Sequence, residues 1–241
     1  MRPDRMFRTG FPVHPKFARY AGSKAEARHE LGIVEDQFTV LVTSGGVGSG
    51  RLLKLVRELE RTYPEKQFLV VTGKNRAIYQ ELTAQKRASS IHIYGFVDNM
   101  EVLMAASDIV VTKAGPGTLM EALVMRRPVI VTEAVGMQER GNIDFVLNHE
   151  LGLFCPTIER IVSAVDTLTA PQSYADTVAR LADAVPRDGA AQIAAIIMEQ
   201  LEQAPARRLT KHRRRLLPFT GLPRWNRALR QIRRVRKGSK S

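Results

Sequence analysis

The sequence of 241 residues contains a single cysteine, Cys155, so no disulfide bond can form within the chain. This scarcity of cysteine fits a reducing compartment. No uninterrupted apolar run approaches the roughly 20 residues that a membrane-spanning helix needs, and residues 1–8 lack the apolar core of a secretory signal. We therefore expect a soluble or peripheral protein of the cytoplasm. Its 44% hydrophobic and 25% charged residues are ordinary for a globular fold.

Acidic residues are missing from one long segment near the carboxyl end. Residues 207–240 contain 14 Lys or Arg and no Asp or Glu. Subtracting these 14 charges from the formal net charge of +13 leaves residues 1–206 at −1. So uneven a distribution of charge indicates that the basic tail has a role separate from that of the body of the chain.

Apolar side chains recur at helical spacing within this basic tail, at Trp225, Leu229 and Ile232. An apolar face with a tryptophan, surrounded by arginines, is typical of a helix that lies on an anionic membrane. Arginine-rich tails also neutralise the phosphates of nucleic acids, and a disordered tail that binds neither is a third interpretation. We expect residues 207–241 to bind an anionic membrane surface, peripherally on its inner face, and we regard nucleic acid as an unlikely partner.

The body of the chain alternates apolar, β-branched runs with stretches of helical periodicity. Predicted strands cover residues 38–43, 67–72, 91–94, 109–112 and 129–132. Predicted helices cover residues 51–63, 77–86, 100–106, 118–126 and 139–148, and further helices follow at 157–169, 173–185 and 189–203. Strands and helices that alternate in this way, joined by short turns, form a parallel sheet with helices on both faces. The predicted fold class is therefore α/β, with a doubly wound parallel sheet, a helical C-terminal segment and a basic tail.

One predicted strand-to-helix turn, at residues 113–118, has the residues of an anion site. Gly115 and Gly117 have no Cβ, so the backbone there can turn sharply and approach a ligand closely. Pro116 suits the first turn of a helix, whose free amides and positive dipole end favour a phosphate group. Glu121 lies one turn further in, where its carboxylate could accept both hydroxyls of a ribose. A tight turn followed by a solvated glutamate is the alternative, and this stretch alone leaves both interpretations open.

A second glycine-rich segment follows the first predicted strand. Residues 44–50 read Ser-Gly-Gly-Val-Gly-Ser-Gly, which lacks the Gly-Lys-Ser/Thr ending of a P-loop and does not match the dinucleotide fingerprint. Its successive amides suit a diphosphate. Lys74, Arg76 and Lys113 follow other strands, either as phosphate partners or as residues of solvated turns. Because ligands of doubly wound sheets bind beyond the carboxyl ends of the strands, we expect all these turns to form one site.

Taken in order, five segments of the sequence resemble one family. They are residues 44–50, Thr-Gly-Lys-Asn-Arg at 72–76, Gly-Phe-Val-Asp-Asn-Met at 95–100, Lys-Ala-Gly-Pro-Gly-Thr at 113–118 and Met-Gln-Glu-Arg-Gly-Asn at 137–142. Together they resemble the donor half of family 28 glycosyltransferases, which implies one Rossmann-like half of the GT-B fold. The similarity is strongest to diacylglycerol glycosyltransferases of the monogalactosyldiacylglycerol synthase type and more distant to the peptidoglycan N-acetylglucosaminyltransferase. It covers roughly residues 9–155.

This resemblance implies roles for individual residues. Glu121 would hold the ribose hydroxyls, and Gln138 and Glu139 would bind the hexose. The backbone at Phe96 and Val97 would contact the edge of the uracil. The residues implied for the diphosphate and the acceptor are Gly45 and Gly46 in the first loop and Gly115, Pro116, Gly117 and Thr118 at the helix start, with Asn142 as a support for the neighbouring loop.

The activity that the resemblance implies is inverting transfer of a hexose from a UDP-sugar to a lipid acceptor such as diacylglycerol. The UDP-sugar would be a substrate, and no cofactor is expected. The Asp-x-Asp signature of metal-dependent transferases occurs nowhere in the sequence, so we also expect the site to hold no metal. Two alternatives stay open: a UDP-sugar epimerase, and a nucleotide-sugar-binding subunit that does not turn over by itself.

Residues 9–13, Thr-Gly-Phe-Pro-Val, resemble the linker that joins the acceptor and donor domains in this family. We therefore expect the acceptor domain and its general base to be missing from this sequence, whether through truncation or because a partner subunit supplies them. The predicted organisation is a linker-like segment at 1–15, a nucleotide-sugar-binding domain at 16–204 and the basic tail at 205–241.

Overall fold

A computed structural model describes residues 6–43, 49–85 and 87–203 of the chain. Within these ranges, six parallel strands form one sheet in the order β3-β2-β1-β4-β5-β6. The strands are β1 (Thr39–Thr43), β2 (Gln67–Val71), β3 (Ile91–Tyr94), β4 (Ile109–Thr112), β5 (Val129–Val131) and β6 (Gly152–Phe154). The chain thus builds the sheet outward from β1 to one edge and then returns beside β1 to build the other half.

Helices connect the strands and follow the last of them. Those in the described part of the chain are α1 (Pro15–Ala18), α2 (Lys24–Leu31), α3 (Ser49–Thr62), α4 (Arg76–Thr83), α5 (Met100–Ala106), α6 (Pro116–Val124), α7 (Arg140–Asn148), α8 (Ile158–Thr169), α9 (Pro171–Ala184) and α10 (Gly189–Gln203). A short 3₁₀ turn, Met137–Glu139, immediately precedes α7.

Successive residues of each central strand pack into two separate hydrophobic clusters on opposite faces of the sheet. Leu41 of β1 joins the cluster that α2, α5, α6 and α7 cover. Its neighbours Val40 and Val42 join the cluster that α3, α4 and α8 cover. Strands buried on both faces have no polar face, which is why they stand out in the sequence as continuous apolar runs.

The predicted α/β class with a doubly wound parallel sheet is confirmed, and each of the five predicted strands lies within one residue of its predicted bounds. Three elements were not predicted: β6, α1 and α2. β6 has only three residues and begins with a glycine, so it has no clear strand pattern. For α2 a signal was present, since Ser23 and Glu26 form a capping box and Gly32 ends the helix at φ 64°.

A buried ion pair lies at the amino end of β4, opposite the carboxyl edge of the sheet. The Asp108 carboxylate accepts hydrogen bonds from the Arg28 guanidinium at 2.8 Å and from the backbone N–H of Thr39 at 2.7 Å. Lys24 also donates to it. Arg28 and Asp108 are 5% and 6% exposed. These contacts join α2 to the beginnings of β1 and β4.

Residues 204–241 lie outside the described ranges. The predicted tail helix with Trp225, and the predicted domain boundaries, therefore stay predictions. Among the residues that the structure does describe, no helix is both long enough and apolar enough to span a membrane.

Candidate functional site

The reversal of strand order between β1 and β4 opens the sheet at its carboxyl edge, which is where doubly wound folds bind ligands. The segment after β1 contains Gly45 and Gly46, which lie outside the described residues, so their predicted roles stay predictions. The segment after β4 is described in full and leads directly into α6.

The first turn of α6 presents backbone amides to solvent. Gly115 is the N-cap residue and Pro116 follows it as the first helical residue. No side chain in the described part of the chain caps this end, so the amides of Gly117 and Thr118 are left for a ligand. Pro116 and Gly117 are exposed, whereas Gly115 is buried beneath them. This is the geometry of an anion site at a helix N-terminus.

Hydrogen bonds from neighbouring segments hold this turn in place. The backbone N–H of Ala114 donates to the carbonyl of Glu133 at 2.7 Å, and the Asn142 side chain donates to the carbonyl of Ala114 at 2.7 Å. Gly115 fits closely, because a Cβ there would lie 2.9 Å from Cε of Lys113. The turn after β4 is therefore preorganised by the segments that follow β5.

Gln138 and Glu139 are adjacent in sequence but lie in different environments. Glu139 is 7% exposed. Its Oε2 accepts from the backbone N–H of Val135 at 2.6 Å, and its Oε1 lies 3.4 Å from Nζ of Lys113. Gln138 is exposed. In this geometry Gln138 is free to meet a ligand, while Glu139 holds the 133–139 loop and pairs with Lys113; the predicted hexose contacts of both stay predictions.

Glu121 is a half-buried carboxylate one turn behind the start of α6. Burial raises its pKa, Lys16 and His14 of the α1 segment oppose that rise, and Glu101 of α5 adds to it. Among the described residues no hydrogen bond or ion pair to the Glu121 side chain occurs. A carboxylate that is partly desolvated and still has free acceptor oxygens is suited to bind neutral hydroxyl groups.

The loop after β3 carries the predicted uracil contacts. Phe96 is 68% exposed, and Val97 is partly buried. The ammonium group of Lys74 lies 5.4 Å from the centroid of the Phe96 ring, so Lys74 packs against this loop. Asn75, rather than Lys74 or Arg76, caps α4 by accepting from the backbone N–H of Ile78 at 3.2 Å.

The sequence by itself gave no indication of the contribution of α1. His14 and Lys16 lie near Glu121, and Lys16 also donates to the backbone carbonyl of Asp98 in the loop after β3. No local sequence pattern predicts these contacts, because Lys16 and Asp98 are 82 positions apart. The start of α1, with its N-cap residue His14, thus contributes to the same edge of the sheet as the glycine turns.

Within residues 6–43, 49–85 and 87–203, no group of three or more His, Cys, Asp or Glu side chains could hold a metal ion. The expectation of a metal-free site stays a prediction.

Residues 39–136 match the glycosyltransferase family 28 C-terminal domain. The matched segment contains both glycine turns, the loop after β3 and Glu121, and it ends shortly before Gln138. A probable monogalactosyldiacylglycerol synthase from Nicotiana tabacum is 33% identical over 179 residues, which are 71% of this chain and 34% of the relative. The chain therefore spans about a third of the length of this curated relative.

Solved structures of glycosyltransferases have a similar fold. The lipopolysaccharide glycosyltransferase WaaG matches with a TM-score of 0.57 and 21% identity, over 81% of this chain and 57% of WaaG. HepE from Anabaena, solved with UDP and glucose, matches with a TM-score of 0.55 and 20% identity, over 81% of this chain and 55% of HepE. The predicted resemblance is confirmed over the matched segment: residues 39–136 match the C-terminal domain of glycosyltransferase family 28.

Proposed function

We propose that this chain is the nucleotide-sugar-binding half of an inverting hexosyltransferase that uses a UDP-sugar and needs no metal. The observation that carries the proposal is the pairing of Glu121 with the uncapped start of α6. A half-buried carboxylate without a hydrogen-bond partner in the described residues lies one helical turn behind free backbone amides. That spacing suits a ribose and the diphosphate attached to it.

The chemistry of sugar transfer explains why such a site would be useful. Negative charge develops on the departing diphosphate as the bond to the sugar breaks. Backbone amides that are already oriented, together with a helix N-terminus, stabilise that charge where it forms. The contacts of Ala114 with Glu133 and Asn142 fix the amides in advance, so little reorganisation is needed.

The comparisons support the donor and the acceptor of this proposal. HepE was solved with UDP and glucose, which supports a UDP-hexose as the donor here. The name of the tobacco relative supports a diacylglycerol acceptor. In this proposal exposed Gln138 contacts the hexose, and the general base and the acceptor wall come from the part of such an enzyme that the matched segment does not cover.

UDP is expected to bind the chain in the presence of EDTA, and Glu121→Ala is expected to weaken binding about 10- to 100-fold. The reason is that a hydrogen bond to a charged group contributes about 1.5–3 kcal/mol. Isothermal titration calorimetry measures both affinities. Glu81→Ala, which makes the same change on the exposed surface of α4, is the matched control and should bind UDP like the wild type. Binding that requires Mg²⁺, or an unchanged affinity of Glu121→Ala, would contradict the proposal.

The same proposal includes docking of residues 207–241 on an anionic membrane, since a lipid acceptor lies there. The chain is expected to sediment with anionic liposomes and far less with neutral ones, because each Lys or Arg near such a surface contributes about 1 kcal/mol. Fluorescence of Trp225, the only tryptophan, should shift to the blue on binding.

Two controls separate the tail from the site. Removal of residues 207–241 should abolish sedimentation and leave UDP affinity unchanged, because every predicted nucleotide contact lies before residue 140. The membrane assignment would be wrong if anionic liposomes left the Trp225 fluorescence unchanged while RNA changed it with a steep dependence on salt. The tail would then be assigned to nucleic acid instead.

A further inference from the structure

Lys16 of α1 connects two elements that are distant in sequence. Its Nζ lies 2.7 Å from Oε2 of Glu101 in the first turn of α5, and it donates to the backbone carbonyl of Asp98 just before that helix. The Lys16 side chain is 34% exposed and the Glu101 side chain 18% exposed. Lys16 thus fastens α1 to the carboxyl end of the 95–99 loop.

The position of Lys16 is itself fixed by the packing of α1. Nδ1 of His14 accepts from the backbone N–H of Lys16 at 3.2 Å and so caps the helix. Phe17, the next residue, is 2% exposed and belongs to the hydrophobic cluster that α6 also helps to form. Because the neighbouring side chain is anchored in the core, Lys16 has little freedom to move away from the loop.

Glu121 completes the arrangement from the side of α6. The positive charge of Lys16 lowers the pKa of Glu121 against the effect of burial. Lys16 is therefore close enough to influence the predicted ribose carboxylate while it holds the loop that carries Phe96 and Val97. Lys16 therefore links the loop that is predicted to bind the uracil with the carboxylate that is predicted to bind the ribose.

We propose that Lys16 is a positioning residue for the nucleoside: it holds the 95–99 loop at a fixed distance from Glu121, so that uracil and ribose are bound in one geometry. This inference rests on the proposed function. It adds a residue of α1, which directly follows the linker-like segment, to the site and assigns it to the nucleoside, not to the diphosphate.

The experiment compares uridine, UDP and inorganic pyrophosphate as ligands of the full chain. Lys16→Met is expected to weaken uridine and UDP by the same factor, about 5- to 20-fold, and to leave pyrophosphate unchanged. Lys16→Arg, which keeps the charge, should retain most of the affinity. Lys54→Met, which removes an exposed lysine of α3, is the matched control and should bind all three ligands like the wild type.

The dependence of UDP affinity on pH gives a second readout. The ionised form of Glu121 accepts the ribose hydroxyls, so affinity is present above the pKa of Glu121 in the folded chain and falls as the pH drops through it. Lys16 and His14 lower that pKa, while burial and Glu101 raise it. Removing the Lys16 charge should therefore move the acidic loss of affinity to a higher pH, an effect that a purely structural role of Lys16 would not produce.

Three results would overturn the inference. If Lys16→Met binds uridine as tightly as the wild type does, this inference is wrong, while the proposed function still stands. An equal loss of pyrophosphate affinity would show that Lys16 acts through general charge or overall stability. Failure of the wild-type chain to bind either UDP or uridine would overturn the proposed function, and this inference with it.

Discussion

Replacement of Asp108 by Ala is expected to lower the free energy of unfolding by about 3–5 kcal/mol, because it leaves the buried Arg28 guanidinium without its counter-ion. The same change removes the acceptor for the backbone N–H of Thr39 and the partner of Lys24. Since these contacts join α2 to the starts of two adjacent central strands, their loss should loosen the amino end of the sheet. Urea denaturation followed by circular dichroism measures the difference.

Glu58→Ala is the matched control for this prediction. Glu58 pairs with Arg61 at 2.7 Å on the surface of α3, where the two side chains are 44% and 73% exposed. Exposed pairs contribute at most about 1 kcal/mol, so this variant should unfold close to the wild type. A loss for Asp108→Ala no larger than that for Glu58→Ala would contradict the assignment. At a temperature where Asp108→Ala is still folded, its UDP affinity should equal that of the wild type, because the ion pair lies at the opposite end of the sheet from the site.

The chain by itself is expected to bind a UDP-sugar and yet to transfer the sugar at least about 10²-fold more slowly than a complete relative. General acid–base catalysis alone accelerates a reaction about 10²–10⁴-fold, and loss of acceptor positioning lowers the rate by a larger factor. The 179 residues that align with the tobacco relative make up only 34% of it, so the proposal assigns the base and the acceptor wall to the remainder of such an enzyme. A product assay with diacylglycerol and radiolabelled UDP-hexoses measures the rate.

The full-length tobacco relative, assayed in parallel, provides the reference rate. Glu121→Ala in this chain is the control for donor binding, since it should bind the donor about 10- to 100-fold more weakly and transfer correspondingly less at low donor concentration. Turnover by the 241-residue chain at a rate comparable to the reference would show that the base lies within this sequence. In that case the division of roles between a donor half and a separate acceptor half would be wrong for this protein.

Local sequence was sufficient to predict five of the six strands and the strand-to-helix turn after β4, and the reason is physical. Strands buried on both faces read as nearly continuous runs of apolar, β-branched residues. β1 and β4 have this composition and are buried along their whole length. In the turn after β4, a Cβ at Gly115 would lie 2.9 Å from Cε of Lys113, so the lysine side chain would have to shift. Within a helix, proline is tolerated only in the first turn, which is where Pro116 lies. At these positions the local requirement and the global fold agree.

Contacts between distant segments were not predictable in the same way. Nothing in the sequence distinguishes Lys16 from other lysines, and its contacts depend on a four-residue helix that packs against α6 and pairs with Glu101 of α5. Gln138 and Glu139 differ in burial because the 3₁₀ turn that contains both directs one side chain outward and the other toward Lys113. Neither distinction follows from residue type or spacing, since each depends on which surfaces the tertiary structure brings together.

Because the start of α6 is uncapped, the identity of residue Gly115 affects both the stability of this helix and the binding of a phosphate group to it. A Ser, Asp or Asn at an N-cap stabilises a helix by about 1 kcal/mol relative to Ala. At Gly115 such a side chain would occupy the amides that the site keeps free, and its Cβ would crowd Cε of Lys113. The helix therefore goes without a cap of its own, and a bound phosphate would take that place. In this sense the nucleotide would complete the secondary structure of the protein, and at 100 times its dissociation constant it would stabilise the fold by about 2.7 kcal/mol.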